Sequence, residues 1–453
     1  KYKKIEATAG SIFDQFGSGL IFRTYEERSM GIDNSLMGGR IKYEPVQGLA
    51  LKVLGGKQRR YFHYNEGFVW GADAEWSMEQ WIHKLQEKDI YWTFGASFVS
   101  RHEKQDYLIK DIVPSAQLDS FSIYRYHFPE NVGAADFRTH FQKGNVNVLA
   151  EYAVKSQDPS ADNHYIYKHG NAALMSVSYS KKGLATLLQA KRNDNMSFRS
   201  NRSMSGISSF INHLPAFTTQ QTYALAALYP YATQPMGEWA FQGDFSYTFK
   251  KKTSLGGKYG TLLRLNASHV RSIHPDSYFK MGETLYYQDI NFNIDKKINS
   301  SLKLNGMYMF QKYNPKVIVG HDEDLITSNI FIVEGKYTIN NKLTLRSELQ
   351  YLHAGEYTGS EEVEAAGRTN QGDWAFGLVE LSLAPYWMFA VQDMYNVGTT
   401  KQHYYMLSGT YTYRSHRISL GYGRTRAGFD CSGGVCRYVD ATHGLRLSYN
   451  YQF

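Results

Sequence analysis

Cysteine is nearly missing from this 453-residue chain, with two in all, and proline stands at only ten. Two cysteines are too few for a disulfide-rich scaffold. No apolar run reaches the roughly 18 residues that a membrane-crossing helix needs, which excludes a helical membrane protein. A leading signal segment is also lacking, as expected of a mature secreted chain. What is abundant is Tyr (36), Gly (39) and Phe (25), with 15% aromatic residues overall. Disordered chains are depleted in aromatics, so this is a folded protein. Its length would suit two or three soluble domains. Yet mean hydropathy is −0.47 despite the aromatics. A transmembrane β-barrel produces that mixture, because only every second residue of each strand meets lipid.

The last nine residues alternate without exception. Leu445, Leu447, Tyr449, Tyr451 and Phe453 are apolar or aromatic, and Arg446, Ser448, Asn450 and Gln452 are polar. Strand side chains alternate between faces, so this strand has one oily and one wet side. Tyr449, Tyr451 and the terminal Phe453 are similar to the C-terminal assembly signal of bacterial outer-membrane barrels. The same period of two recurs in Phe245/Tyr247/Phe249, Leu263/Leu265, Ile290/Phe292/Ile294 and Leu343/Leu345/Leu349/Tyr351. Short breaks such as Lys143-Gly144-Asn145 and Lys181-Lys182-Gly183 join pairs of strands. Longer segments separate the pairs: 102–132, 155–169, 195–236, 313–324, 355–371 and 427–439. The expected fold class is all-β: a large antiparallel up-and-down transmembrane β-barrel of about 20–24 strands, forming one domain over 1–453. The bland alternative is a soluble propeller, sandwich or solenoid, which rarely puts Leu, Tyr and Phe on an outer face so often.

The pattern resolves into about 21 strands, from 2–13 and 18–25 through to 440–453. An odd count leaves two strands of like direction side by side. Either one strand is miscounted or N-terminal strands precede Lys1; the second is the expectation here. Residues 76–89 break the alternation: Trp81, Ile82 and Leu85 fit a helical stripe, and Ser77 to Gln80 offers a capping-box start. A short periplasmic helix is expected there, lying under the barrel or docking a partner.

Several motifs together resemble a known group. These are Phe13-Asp14-Gln15-Phe16-Gly17-Ser18-Gly19-Leu20, Arg23-Thr24-Tyr25-Glu26-Glu27-Arg28, Gly31-Ile32-Asp33-Asn34-Ser35-Leu36, Gly56-Lys57-Gln58-Arg59 and Asp430-Cys431-Ser432-Gly433-Gly434-Val435-Cys436-Arg437. The chain resembles, along its whole length, a family of Bacteroidota outer-membrane proteins of uncharacterised function. The resemblance implies a Gram-negative outer-membrane location, a barrel fold and further strands ahead of the Phe13 motif. It implies no catalytic residues and no substrate.

Candidate site residues fall into several groups. Cys431 and Cys436 flank an external loop in an oxidising envelope, where a disulfide clip is expected. Wet-face positions carry Lys52, Lys191, Arg264, Lys303, Lys336, Arg346 and Arg446 against Glu151, Asp244, Asp295, Glu334, Glu348 and Glu380. A selective pore tends to carry one sign at a constriction. A near balance fits cross-strand pairs lining a wet interior. Acidic stretches at His321-Asp322-Glu323-Asp324 and at Glu356, Glu361, Glu362 and Glu364 lack the spacing of a calcium loop. They are read as solvated, and neither a metal nor a cofactor is expected. Lys250-Lys251-Lys252 and the other lysine pairs suit headgroup contact, so the net charge of +8 is not taken as nucleic-acid binding. The loop 195–236 is too oily to lie free: Ile211 to Phe217 and Tyr223 to Tyr231 call for a buried position, as a plug or against a partner.

Three functions compete. The first is a barrel plugged by its own loops, acting as a subunit or scaffold of an outer-membrane complex with outer-membrane or periplasmic protein partners. The second is a porin-like or substrate-specific channel. The third, an outer-membrane hydrolase, lacks any Ser/His/Asp grouping of recognisable spacing. The balance of charge and the oily loop favour the first, and no enzyme is expected.

Overall fold

The computed structural model describes residues 4–104, 109–114, 121–355, 367–432 and 434–452. The chain is all-β, with a 20-stranded antiparallel up-and-down sheet and almost no helix. It divides into two compact units. The first comprises Lys1–Val177, Lys191–Pro215 and Gln234–Trp239; the second comprises Ser178–Ala190, Ala216–Thr233 and Ala240–Phe453.

In the first unit the strands are β1 (Ile5–Ile12), β2 (Leu36–Val46), β3 (Leu49–Arg60), β4 (His63–Ser77), β5 (Ile90–His102), β6 (Asn131–Lys143) and β7 (Val146–Lys155). Each pairs antiparallel with the next. Strands β8 (Gly170–Lys181), β9 (Leu184–Asp194) and β10 (Gly237–Phe249) contain residues of both units. In the second unit lie β11 (Thr261–His274), β12 (Ser277–Lys297), β13 (Leu302–Tyr313), β14 (Ile326–Thr338) and β15 (Leu343–Ala354). It continues with β16 (Trp374–Leu383), β17 (Trp387–Asn396), β18 (His403–Tyr413), β19 (His416–Thr425) and β20 (Thr442–Tyr451). These too pair in chain order.

Alternation in sequence becomes alternation in exposure. On β14, Ile330 and Ile332 are buried while Phe331 and Val333 are 52% and 60% exposed. Register places Val333 opposite Leu349 of β15, itself 69% exposed. Phe331 packs on Tyr308 of β13, ring centroids 5.2 Å apart. On β20, Leu445, Leu447, Tyr449 and Tyr451 are all exposed. One face of the sheet is therefore apolar and open in both units. Tight turns need special backbone: Gly48, at φ +83°, joins β2 to β3, where a Cβ would lie 2.6 Å from Gln80.

Two expectations are corrected. Residues 18–25 form no strand of the sheet; together with their neighbours they make a buried connection between β1 and β2. The consecutive Leu20, Ile21 and Phe22 are all buried, which a two-faced strand does not allow, and the odd strand count disappears with it. Residues 76–89 form no single helix but a 3-10 turn, Met78–Gln80, and a four-residue α1, His83–Gln86. Ser77 makes no side-chain cap; its hydroxyl meets Thr93 of β5 instead, at 3.4 Å.

Candidate functional site

The first unit buries an insertion. Between β1 and β2 the chain turns back on itself: Gly19 N–H donates to Phe16 O at 2.8 Å, and Phe16 N–H to Phe22 O at 3.1 Å. The rings of Phe16 and Phe22 meet at 4.9 Å, and Leu20, Ile21 and Met30 are fully buried. This turn docks on residues 195–215. Arg23 N–H donates to Ile211 O and His213 N–H to Gly19 O. Asn212 Nδ2 reaches Leu20 O at 3.0 Å, and Asn34 Nδ2 reaches Phe210 O at 3.1 Å.

Wall strands hold both segments through charge. Asp14 accepts from Arg40 of β2 and from Lys52 of β3, both at 2.8 Å. Burial would raise the Asp14 carboxyl, but those two cations keep it below the ordinary carboxylate range. Ser18 N–H donates to Glu151 of β7 at 2.8 Å. Arg101 of β5 is entirely buried, donating to Arg199 O and to Asp158, each at 2.8 Å. Lys155 of β7 donates to Ser197 O. Lys191 and Glu238 form an ion pair at 2.7 Å with both side chains 0% exposed. Arg138 of β6 gathers Asp73, Glu75 and Asp136. The Arg199 guanidinium also lies 3.6 Å from the centre of the Phe210 ring. Gly67 of β4 permits the closest approach, since a Cβ there would lie 2.2 Å from Ser200 O. These charges are buried, and a buried charge left without a partner costs several kcal/mol, so the segments and the wall are mutually dependent.

The second unit contains residues 216–233, whose Leu225, Leu228, Tyr229 and Tyr231 are buried. Leu225 N–H donates to Gln350 of β15 at 2.8 Å, and Gln311 of β13 donates to Tyr229 O at 2.9 Å. Tyr229 stacks near Tyr313 and Tyr231 near Tyr287, at 5.5 and 5.3 Å. Burial raises the Tyr229 phenol well above its usual range. The hairpin Gly428–Ser432 with Val435–Val439 closes on the Cys431–Cys436 disulfide. It meets this segment where Thr233 N–H donates to Gly434 O at 3.0 Å. Beside the segment opens a cavity of about 800 Å³, lined by Asn266, Asn291, Asn293, Asn305, Asp244, Asp295, Arg264 and Lys303 among others.

The sequence model of a family of unknown function (DUF6029) matches residues 1–453. The chain belongs to that family. No curated protein matches the DUF6029 chain. Among solved structures it is similar to a multiply substituted porin of Rh. blastica, at 13% identity and TM-score 0.31, over 72% of this chain and 92% of that one. It is also similar to the ferric-catecholate import receptor Fiu of E. coli K12, at 10% identity and TM-score 0.34, covering 100% and 75%. A third is the siderophore receptor PirA of Acinetobacter baumannii, at 9% identity and TM-score 0.38, covering 93% and 71%. Likenesses this distant carry no argument about what the DUF6029 chain does.

The charged residues singled out in the sequence are placed as follows. Lys52, Glu151 and Lys191 join the first unit's networks described above. In the second unit Asp244 accepts from Asn266 and Gln242. Asp295 takes both Arg264 and Lys303. Arg346 bonds Glu334 at 3.1 Å and contacts Glu348, with Glu380 at 3.8 Å. Arg446 donates to Thr425 and Thr442. Lys336 stands opposite Lys303 and Arg346 in register and is exposed. Phe453 lies outside the described residues, as do Glu356, Glu361, Glu362 and Glu364. Of the other acidic stretch, Glu323 is buried and accepts from the backbone of Thr369 and Asn370. Among the described residues no group of three or more His, Cys, Asp or Glu is placed to hold a metal ion. Sequence reasoning missed Asp14, Asp73, Arg101, Asp136, Arg138 and Asp158. Arg101 and Arg138 sit at polar alternate positions of their strands, which was the available signal.

Proposed function

We propose that this chain is an outer-membrane β-barrel whose wet side is filled by its own inserted segments, and that it serves as a subunit or scaffold of an outer-membrane protein complex. The observation that carries the reading is the buried network joining 13–35 and 195–215 to the wall, from Asp14–Lys52 to Arg101 on Arg199 O. An open diffusion pore has no use for fully buried, paired charges between wall and loop. The exposed apolar face supports placement in lipid, because an aqueous surface rarely carries so much Leu, Phe and Tyr. The resemblance to Bacteroidota outer-membrane proteins is in keeping with this compartment.

The test is gentle detergent extraction of the native chain, mass spectrometry of what stays bound, and planar-bilayer recording of the same material. Stable protein partners and no conductance are expected. A lone monomer that conducts ions removes the scaffold reading. The porin-like alternative is favoured by one observation, the polar cavity of the second unit.

A further inference from the structure

That cavity has a chemistry of its own. Its floor is built on cross-strand rungs: Asn266 faces Asn291, Arg264 faces Asn293, and Asn305 lies between Asp295 and Glu334. The side-chain amides are linked into short chains. Asn266 donates to Asp244 at 2.6 Å and accepts from Asn291 at 3.1 Å. Asn305 donates to Asn293 at 3.0 Å and accepts from the Tyr223 hydroxyl at 3.0 Å. Asn266 and Asn291 spend both amide hydrogens within the network, and Asn305 both lone pairs, which leaves one hydrogen and one lone pair at Asn293 and one lone pair at Asn266.

The carboxylates around the cavity are paired or hydrogen-bonded. Asp295 is held by Arg264 and Lys303, and Glu334 by Arg346, which also contacts Glu348 and Glu380. Asp244 rests on amides. Acids outnumber bases here, so an anion would be repelled, and any ion would have to break existing pairs. A neutral ligand carrying vicinal hydroxyls meets what it needs, namely groups that donate and accept at neighbouring positions. Tyr179, Leu187 and Met307 supply apolar surface for C–H faces. At about 800 Å³ the space suits several sugar rings, within the usual range of ligand sites.

We infer that the cavity of the second unit, centred on Asn266, Asn291, Asn293 and Asn305, is a binding site for a neutral polyhydroxylated solute of oligosaccharide class. The inference does not rest on the scaffold reading, since binding is measurable on the purified full chain in detergent whether or not partners or conductance are found.

The experiment is calorimetric titration with maltotriose, cellotriose and mannotriose, set against trigalacturonate and triglycine as charged probes. At least one neutral trisaccharide is expected to bind saturably with Kd below about 1 mM, and the charged probes at least tenfold more weakly. Asn293→Leu and the cavity-filling Met307→Trp are each expected to weaken the neutral ligand tenfold or more. A readout that needs no variant is acylation of Lys303, whose side chain is 56% exposed. Bound neutral sugar is expected to slow its labelling at least threefold, read by peptide mass spectrometry. Absence of saturable binding by all three neutral sugars overturns the site. So do preferential binding of a charged probe, and unchanged labelling of Lys303 at saturation.

Discussion

His213 lies in the inserted segment of the first unit with its backbone tied to Gly19 and its ring near Tyr25, centroids 6.1 Å apart. Burial, reinforced by the cations Arg23 and Lys191, pushes its pKa down to about 3. The folded state thus holds the imidazole neutral, whereas the unfolded chain protonates it near pH 6.5. Between pH 6.5 and about 3 the unfolded state binds the extra proton, so this group's contribution is intact above pH 6.5 and is lost as pH falls. Its slope is about 1.4 kcal/mol per pH unit. His213→Leu is expected to flatten the acid limb of stability in that window, measured as denaturant midpoints at several pH values. An unchanged slope would show that the ring is solvated. Nothing in the sequence spacing marks His213 as buried; only the oiliness of Ile211 to Phe217 points that way. Lys191 and Glu238 illustrate the same limit. Alternation assigns Lys191 a wet-face position, but its partner comes from another strand, and a pairing between strands is invisible to periodicity.

At the scale of elements, long two-faced strands were legible because the period of two is enforced at every residue by apolar exposure on one side. The inserted turn at 18–25 was not legible, because a short apolar run has the same composition whether it pairs in a sheet or folds beneath one. The stretch 76–89 read as a helix because Trp81, Ile82 and Leu85 match that stripe. Trp81 instead donates its indole N–H to Gln47 O at 3.0 Å, tying the turn to the β2–β3 connection. The disulfide was legible from spacing and compartment, and its hairpin is an element that can be tested alone. The two cysteines are only five positions apart, so loss of the bridge returns only about 2 kcal/mol of loop entropy to the unfolded hairpin. Reduction, or Cys431→Ser with Cys436→Ser, is expected to open the hairpin locally and speed tryptic cleavage after Arg437 severalfold. The thermal midpoint of the sheet is expected to stay nearly constant. A parallel fall in that midpoint would mean that the hairpin is part of the sheet's cooperative unit.

For the whole molecule, the decisive property is which solvent the apolar face meets. Fold class was readable from alternation, and the burial of residues such as Leu225 and Tyr229 from the oiliness of their loop. The job was not readable, because contacts such as Asn305–Tyr223 join residues distant in sequence. Val333 and Leu349 lie directly opposite each other near the middle of β14 and β15, both on the exposed side. If water bathes that side, Val333→Arg is a surface substitution and changes stability by less than about 0.5 kcal/mol. If hydrocarbon bathes it, an arginine near mid-strand costs about 2–4 kcal/mol. The lipid reading therefore predicts a large loss for Val333→Arg and for Leu349→Arg when guanidinium unfolding is measured in phospholipid bilayers. Within that reading, Arg446, which bonds Thr425 and Thr442, faces away from lipid, so Arg446→Lys is expected to be mild in the same assay. Equal, small effects at all three positions would place the apolar face in water and leave the proposed compartment without support.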